Sequence, residues 1–242
     1  MSASEITRTE IDIADRPQAL VVRVNRRAKH LILKVDPYAG EIQVTAPSRR
    51  AVPEAIAFAR ERADWIAGQL DDELRARAFE AGMSVPYLGA PHVIERSGRA
   101  RAPVRATPGP PARISAGGEA AHLNRRVVDW MKREARSALA ARVELYCAAL
   151  KKPAPRIRVR DTKTRWGSCT SDATLSFSWR LIMAPPWIID YVAAHECAHL
   201  VHMNHSPAFW RKVAFLGADA RAAETWFNAN GARLFSYGAA PR

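Results

Sequence analysis

Two histidines four residues apart, His195 and His199, bracket an acid in the segment His195-Glu196-Cys197-Ala198-His199, and that spacing makes sense in one local structure. On an α-helix such residues lie about 40° apart around the axis and one turn apart along it, so both imidazoles point the same way. Two imidazoles so placed share one metal ion. Glu196 is offset by about 100° from His195, which sets its carboxylate beside that ion, within reach of a water molecule there. Ile188, Ile189, Val192, Ala193, Leu200 and Val201 add an apolar face at helical spacing, so the segment is expected to be a core helix. Four of the chain's seven histidines fall within residues 195–205. Zinc held by imidazoles with one position open lets water ionise near neutral pH, and the chemistry implied is metal-assisted hydrolysis. The plainer alternative is a helix whose histidines are merely buried or solvated; the apolar context and the clustering weigh against it.

A third donor has three candidates. His202 lies on the same helical face as His195 and His199, but the next turn carries it about 4.5 Å further along the axis, so it is expected to line the site. His205 folds back if the helix ends near Met203-Asn204, since asparagine tolerates the left-handed conformation that stops a helix. Ser206-Pro207 then opens a new helix, with serine as N-cap and proline at the first position, and pins His205 in a corner. Glu224, on a later helix, is the remaining candidate. The spacing favours His205.

With 242 residues and 48% hydrophobic content, the chain can bury a real core in one or two domains. Residues 1–17 are polar and contain acids, and no stretch approaches 18 uninterrupted apolar residues, so neither export nor a membrane partner is expected. Cys147, Cys169 and Cys197 form no CxxC pair, which fits reduced thiols in a cytoplasm. The net charge of +13 is uneven: residues 101–165 carry 16 Lys/Arg against 5 Asp/Glu, and both flanks are near neutral. Such a block attracts an anionic partner, nucleic acid among the options, although biased arginine usage alone would also produce it.

Ala19–Asn25, His30–Asp36 and Glu41–Ala46 alternate apolar and polar residues, with Pro37-Tyr38-Ala39-Gly40 as a turn, and read as a small antiparallel sheet. Pro53 to about Ala81 then shows helical spacing, with Ile56, Ala57, Trp65, Ile66 and Leu70 at its apolar positions. Residues 98–122, rich in proline, glycine and arginine, read as an irregular loop or hairpin separating an N-terminal module, 1–97, from a second domain, 123–242. In that domain Asn124 is expected to N-cap a long helix to about Leu150. Arg156–Thr162 and Thr174–Leu181 read as strands, and helices follow near Pro207–Leu216 and Asp219–Asn230. The fold class is α+β.

Lys163-Thr164-Arg165-Trp166-Gly167-Ser168-Cys169 ahead of the second strand, the histidine segment after it, and Asn204-His205-Ser206-Pro207-Ala208-Phe209-Trp210 together resemble the YgjP-like zinc metallopeptidase family. Trp65-Ile66 and Tyr87-Leu88-Gly89 match as well, so the resemblance covers most of the chain. It implies a minimal zincin-like catalytic domain, related to gluzincins and to SprT proteases, with Zn2+ on His195, His199 and His205 and Glu196 as base. The His205 to Phe209 spacing is the SprT-like element, and some SprT proteases act on DNA-bound proteins. The histidine spacing also equals the metzincin pattern, but His202 stands at the usual glycine and no methionine after Met203 supplies a Met-turn, so that class is rejected.

The expected reaction is peptide hydrolysis of a polypeptide substrate, with Glu196 taking a proton from water and passing it to the leaving amine. An oxyanion donor is expected among Arg165, Tyr191 and His202. The strand 174–181 is a candidate edge for aligning an extended peptide, and Trp166 and Trp179 are candidate core or cleft walls. Two other functions compete: a metal-dependent nucleotide phosphohydrolase, which lacks a two-metal carboxylate cluster or phosphate loop, and a non-catalytic nucleic-acid-binding module, which leaves Glu196 unexplained.

Overall fold

The computed structural model describes residues 6–36, 40–70, 76–162 and 165–238. Pro37-Tyr38-Ala39 of the expected turn, residues 71–75 of the expected long helix and Lys163-Thr164 of the motif lie outside them. The chain divides at Ala76 and Arg77 into two compact units.

The first unit is a four-stranded sheet with two helices. Strands β1 (Ile6–Ile13), β2 (Arg16–Val24), β3 (Ile32–Asp36) and β4 (Glu41–Ala46) stand in the order β1-β2-β4-β3. β2 and β4 run parallel, so the sheet is mixed and not antiparallel as the sequence suggested. β3 pairs outside β4, which brings β4 back beside β2 in the same direction. β1 escapes a reading by alternation because only Ile11 and Ile13 are buried in it. Its turn, Ala14-Asp15, has both φ values positive (48° and 60°), a conformation more often supplied by Asn-Gly.

The expected helix from Pro53 is two helices, α1 (Val52–Arg60) and α2 (Ala63–Gln69), interrupted at Glu61-Arg62. Arg62, at φ −109° and ψ 23°, leaves helical geometry, and Ile66 packs in the same core as Ala55 and Ala59. Trp65, expected among the apolar positions, is 49% exposed.

The second unit begins with β5 (Ser84–Tyr87), β6 (Ala90–Arg96), β7 (Arg105–Thr107) and β8 (Arg113–Ala116), in the order β5-β6-β8-β7. Strand order and directions repeat those of the first unit. The stretch 98–122 thus contains a hairpin, β7–β8, whose second strand joins β6.

The 28-residue helix α3 (Leu123–Leu150) follows, burying Val127, Val128, Met131, Ala135 and Leu139 at the expected spacing. Asn124 does not cap it: the N-cap is His122, and the Asn124 Oδ1 accepts the Phe79 backbone N–H at 2.8 Å instead. The helix stops at Lys151 in the left-handed region, two residues before Pro153.

Three strands, β9 (Arg156–Arg160), β10 (Gly167–Cys169) and β11 (Thr174–Ser178), then form a sheet ordered β10-β11-β9. A 3-10 turn, Trp179–Met183, leads into α4 (Pro186–Ala198), followed by α5 (Pro207–Phe215) and α6 (Ala220–Ser236). Residues 179–181 were expected to extend the strand, but Ser178 caps the turn, its Oγ accepting from Arg180 N. One core joins Met131 and Leu139 of α3, Leu175 and Phe177 of β11, and Ile188 and Val192 of α4. Burial of each such side chain contributes roughly 1.5–3 kcal/mol, so α3 is the platform that fixes both the sheet and the histidine helix.

Candidate metal centre

α4 is buried nearly all round and not along one stripe, because α3, β10 and α5 all pack on it. It ends at Ala198, with His199 as C-cap in the right-handed region. The helix therefore stops five residues before Met203, and Asn204 is not left-handed. Leu200 and Val201, expected on its apolar face, fall in the turns beyond it, where Val201 is 36% exposed. The turn is closed by a side chain: His199 Nδ1 lies 3.1 Å from the His202 carbonyl oxygen. Nδ1 must donate to that carbonyl, which leaves Nε2 of His199 as the free acceptor. Ser206 then caps α5, its Oγ accepting from Phe209 N, with Pro207 at the first position as the sequence indicated.

This corner brings His195, His199 and His205 together, with one nitrogen of each within 4.8 Å of the others. Nε2 of His195 and Nε2 of His205 are 3.1 Å apart. Two nitrogens bound tetrahedrally at zinc distances stand ~3.3 Å apart, so the donor set fits one ion of that size. Phe209 packs against all three imidazoles at centroid distances of 4.9, 4.5 and 4.8 Å, and Trp210 stacks on His205. Burial, with His199 and His205 adding to it, lowers the His195 pKa to about 4, and burial lowers that of His199. Both are neutral at pH 7, the state in which imidazole binds a metal.

Glu196 is 5% exposed, and its Oε2 is buried without a hydrogen-bond partner. Desolvation raises its pKa to about 8. Its nearest constraint is Gly167 on β10, where a Cβ would stand 2.7 Å from Glu196 Cγ. The sequence marked Trp166-Gly167-Ser168 only as part of a motif. The reason for its glycine is this close approach, which no pattern within either segment reveals.

A cavity of about 430 Å³ opens beside His195 and Glu196, walled by Trp166, Tyr191, Trp210 and Phe227 with Glu224 and Asn228 at its polar side. Trp166 is thus a cleft wall, stacked on Phe227 at 4.9 Å, while Trp179 is fully buried core. Of the three candidate oxyanion donors, Tyr191 lies in this cavity. Arg165 lines a different cleft, and the described contact of His202 with the site is its backbone carbonyl. Glu224 lines the cavity but is not in the convergent donor group. The strand expected to offer an edge, 174–181, is β11 at the centre of its sheet; the edge strands are β9 and β10, and β10, which folds back antiparallel onto β11, is the one whose Gly167 lines the cavity.

Part of the basic block is engaged within the fold. Arg113 pairs with Glu95 at 2.7 Å and Arg142 with Asp190 at 2.5 Å, and Arg126 and Arg136 donate to the carbonyls of Ala102 and Ile157. Among the described residues no helix is long and apolar enough to cross a membrane.

A family model for the YgjP-like metallopeptidase domain matches residues 29–230. No curated protein matches the chain. One solved structure, that of the metallopeptidase zymogen of Pyrococcus abyssi abylysin, is 21% identical over 38% of this chain and 95% of its own. Its TM-score of 0.35 is too low to establish a common fold.

Proposed function

From the premise that this chain belongs to the YgjP-like metallopeptidase family, we propose that it is a zinc-dependent peptidase of zincin-like design in which His195, His199 and His205 hold the metal and Glu196 is the general base. The observation that carries this reading is the convergence of three imidazoles beside a buried carboxylate that has an unpartnered oxygen. A bound zinc ion supplies Lewis acidity at the scissile carbonyl and lowers the pKa of water.

The remaining work falls to the chain. Glu196, whose burial raises its pKa to about 8, would be held ionised by a cation on the three histidines and would then accept a proton from water. It then delivers that proton to the leaving amine. The open edge of β10 aligns an extended peptide by main-chain hydrogen bonds, and Gly167 lets it approach Glu196 without a side chain between. Tyr191, which lines the same cavity, is the candidate donor to the developing oxyanion; burial, with Glu224 and Glu196, raises its pKa, so it keeps its proton at neutral pH. Trp166, Trp210 and Phe227 exclude water and accept apolar side chains.

The test compares wild type with Glu196→Gln, both reconstituted with zinc, on an unfolded protein and on nucleoside triphosphates. Peptide cleavage lost in the variant supports the reading; triphosphate turnover without peptide cleavage overturns it.

A further inference from the structure

On the other side of Gly167 from the metal cavity lies a second cleft, of about 480 Å³, lined by Arg158, Arg160, Arg165, Ser168, Ser176 and Asp172 among others. Arg158 pairs in register with Ser176, and Ser176 with Ser168, so the three side chains form one row across one face of the sheet. The opposite face carries Leu175 and Phe177 into the core. A polar outer face is ordinary for such a sheet, but this one is concave and its charge is not balanced. Arg158, Arg160 and Arg165 have no acidic partner among the described residues, in contrast to Arg113 and Arg142. The carboxylate in the lining, Asp172, is already engaged, accepting hydrogen bonds from the hydroxyls of Thr170 and Thr174. Ser168 and Ser176 add hydroxyl donors beside the guanidinium groups.

We propose that this cleft is an oxyanion subsite that selects acidic side chains of an extended polypeptide held along β10, a specificity that rests on the peptidase reading above. A strand on the open edge of β10 points successive side chains to opposite faces of the sheet, so a residue at the metal cavity has neighbours facing the arginines. Arg165 closely precedes β10 and is the nearest of the three to such a peptide; β9 stands three strand spacings from it, about 14 Å, so Arg158 and Arg160 meet it only when extended across Ser176 and Ser168, and glutamate reaches them better than aspartate. Arg158 and Arg160 are separated by about 6.8 Å along their strand, the interval between alternate side chains of an extended peptide, so acids at every second position suit the pair. Guanidinium forks bind carboxylates through paired hydrogen bonds. A nucleic-acid strand fits less well: the lining has no aromatic residue for base stacking, and several basic residues that would extend a phosphate track are engaged elsewhere.

The test uses the full chain loaded with zinc and two labelled peptides, one with glutamate at alternate positions and one with glutamine there, together with a labelled single-stranded oligonucleotide. Binding is read by anisotropy on the Glu196→Gln background and cleavage on the native one. The expected result is tighter binding and lower KM for the glutamate peptide by about tenfold, lost in Arg158→Gln/Arg160→Gln, unchanged in Arg125→Gln, which is also exposed, with the glutamine peptide unaffected throughout. Equal binding of the two peptides overturns the subsite, whether or not both are cleaved. Oligonucleotide binding that exceeds that of the glutamate peptide and vanishes in the double variant also overturns it. Failure to cleave either peptide, with selective binding intact, removes the peptidase reading and leaves the subsite standing.

Discussion

A Cβ on Gly167 would stand 2.7 Å from Cγ of Glu196, 2.8 Å from its Cδ and closer still to Oε1. The edge strand and the proposed base are therefore in direct contact, and the glycine is required by space, since its φ is not positive. Gly167→Ala must push either β10 or the carboxylate away. Overpacking of this kind costs about 1–3 kcal/mol, whereas a displacement near 1 Å at the reacting groups costs about 10²-fold in rate. The variant is expected to fold with a modestly lower Tm, retain zinc and lose about 10²-fold in kcat. Full activity would show that the contact is immaterial.

The three-histidine assignment is checked by metal content. His205→Ala is expected to lose zinc on dialysis, because it removes one of three converging nitrogens. His202→Ala and Glu224→Ala are expected to keep it. His202 contributes its carbonyl to orient His199, and a backbone group survives the substitution. Zinc at wild-type stoichiometry in His205→Ala would displace His205 from the site.

The metal-free protein carries a pH signature of Glu196 and His195. Glu196 has a folded pKa of about 8 against 4.5 unfolded, so its contribution is full below pH 4.5 and is lost as pH rises through 8. His195 is about 4 folded against 6.5 unfolded; its contribution is full above pH 6.5 and is lost as pH falls through 4. The two oppose each other between 4.5 and 6.5, and only the glutamate acts above. Tm of the metal-free wild type is expected to fall between pH 6.5 and 8, and that of Glu196→Gln to stay level. Parallel slopes in the two proteins would rule out the glutamate as the cause.

Arg180 is nearly buried, its side chain 5% exposed, and it pairs with Asp161, donates to the Tyr237 carbonyl at 3.2 Å and lies over the Trp179 ring. Asp161 is 56% exposed, so the two partners are unequal. Asp161→Ala strands a buried guanidinium and is expected to cost about 1–3 kcal/mol, below the range for a fully buried pair. Arg180→Met removes the charge together with its requirement and is expected to cost less. Urea denaturation midpoints of the two variants decide the order; the reverse order would mean that packing of the arginine stem outweighs its charge.

What was legible in the sequence depended on short range. The α4 segment, the Ser206-Pro207 start of α5 and the buried stripe of α3 were readable because helix periodicity and capping are set by residues within a few positions of each other. Errors fell where a distant partner decides. Asn124 looks like a cap, but the Phe79 amide 45 residues away takes its oxygen. The strand at 174–181 looks like an edge until β10 folds onto it, and β4 was expected antiparallel to its neighbours because nothing local records that β3 pairs outside it.

The sequence by itself pointed to His195, Glu196 and His199 lying together within about one helical turn, since an apolar helical segment with 3.6 residues per turn puts residues four apart on one face. Only the tertiary structure decided what surrounds them. Gly167 reaches Glu196 and the arginines of β9 share a face with Ser168 because strand pairing joins residues whose order along the chain carries no record of their neighbours.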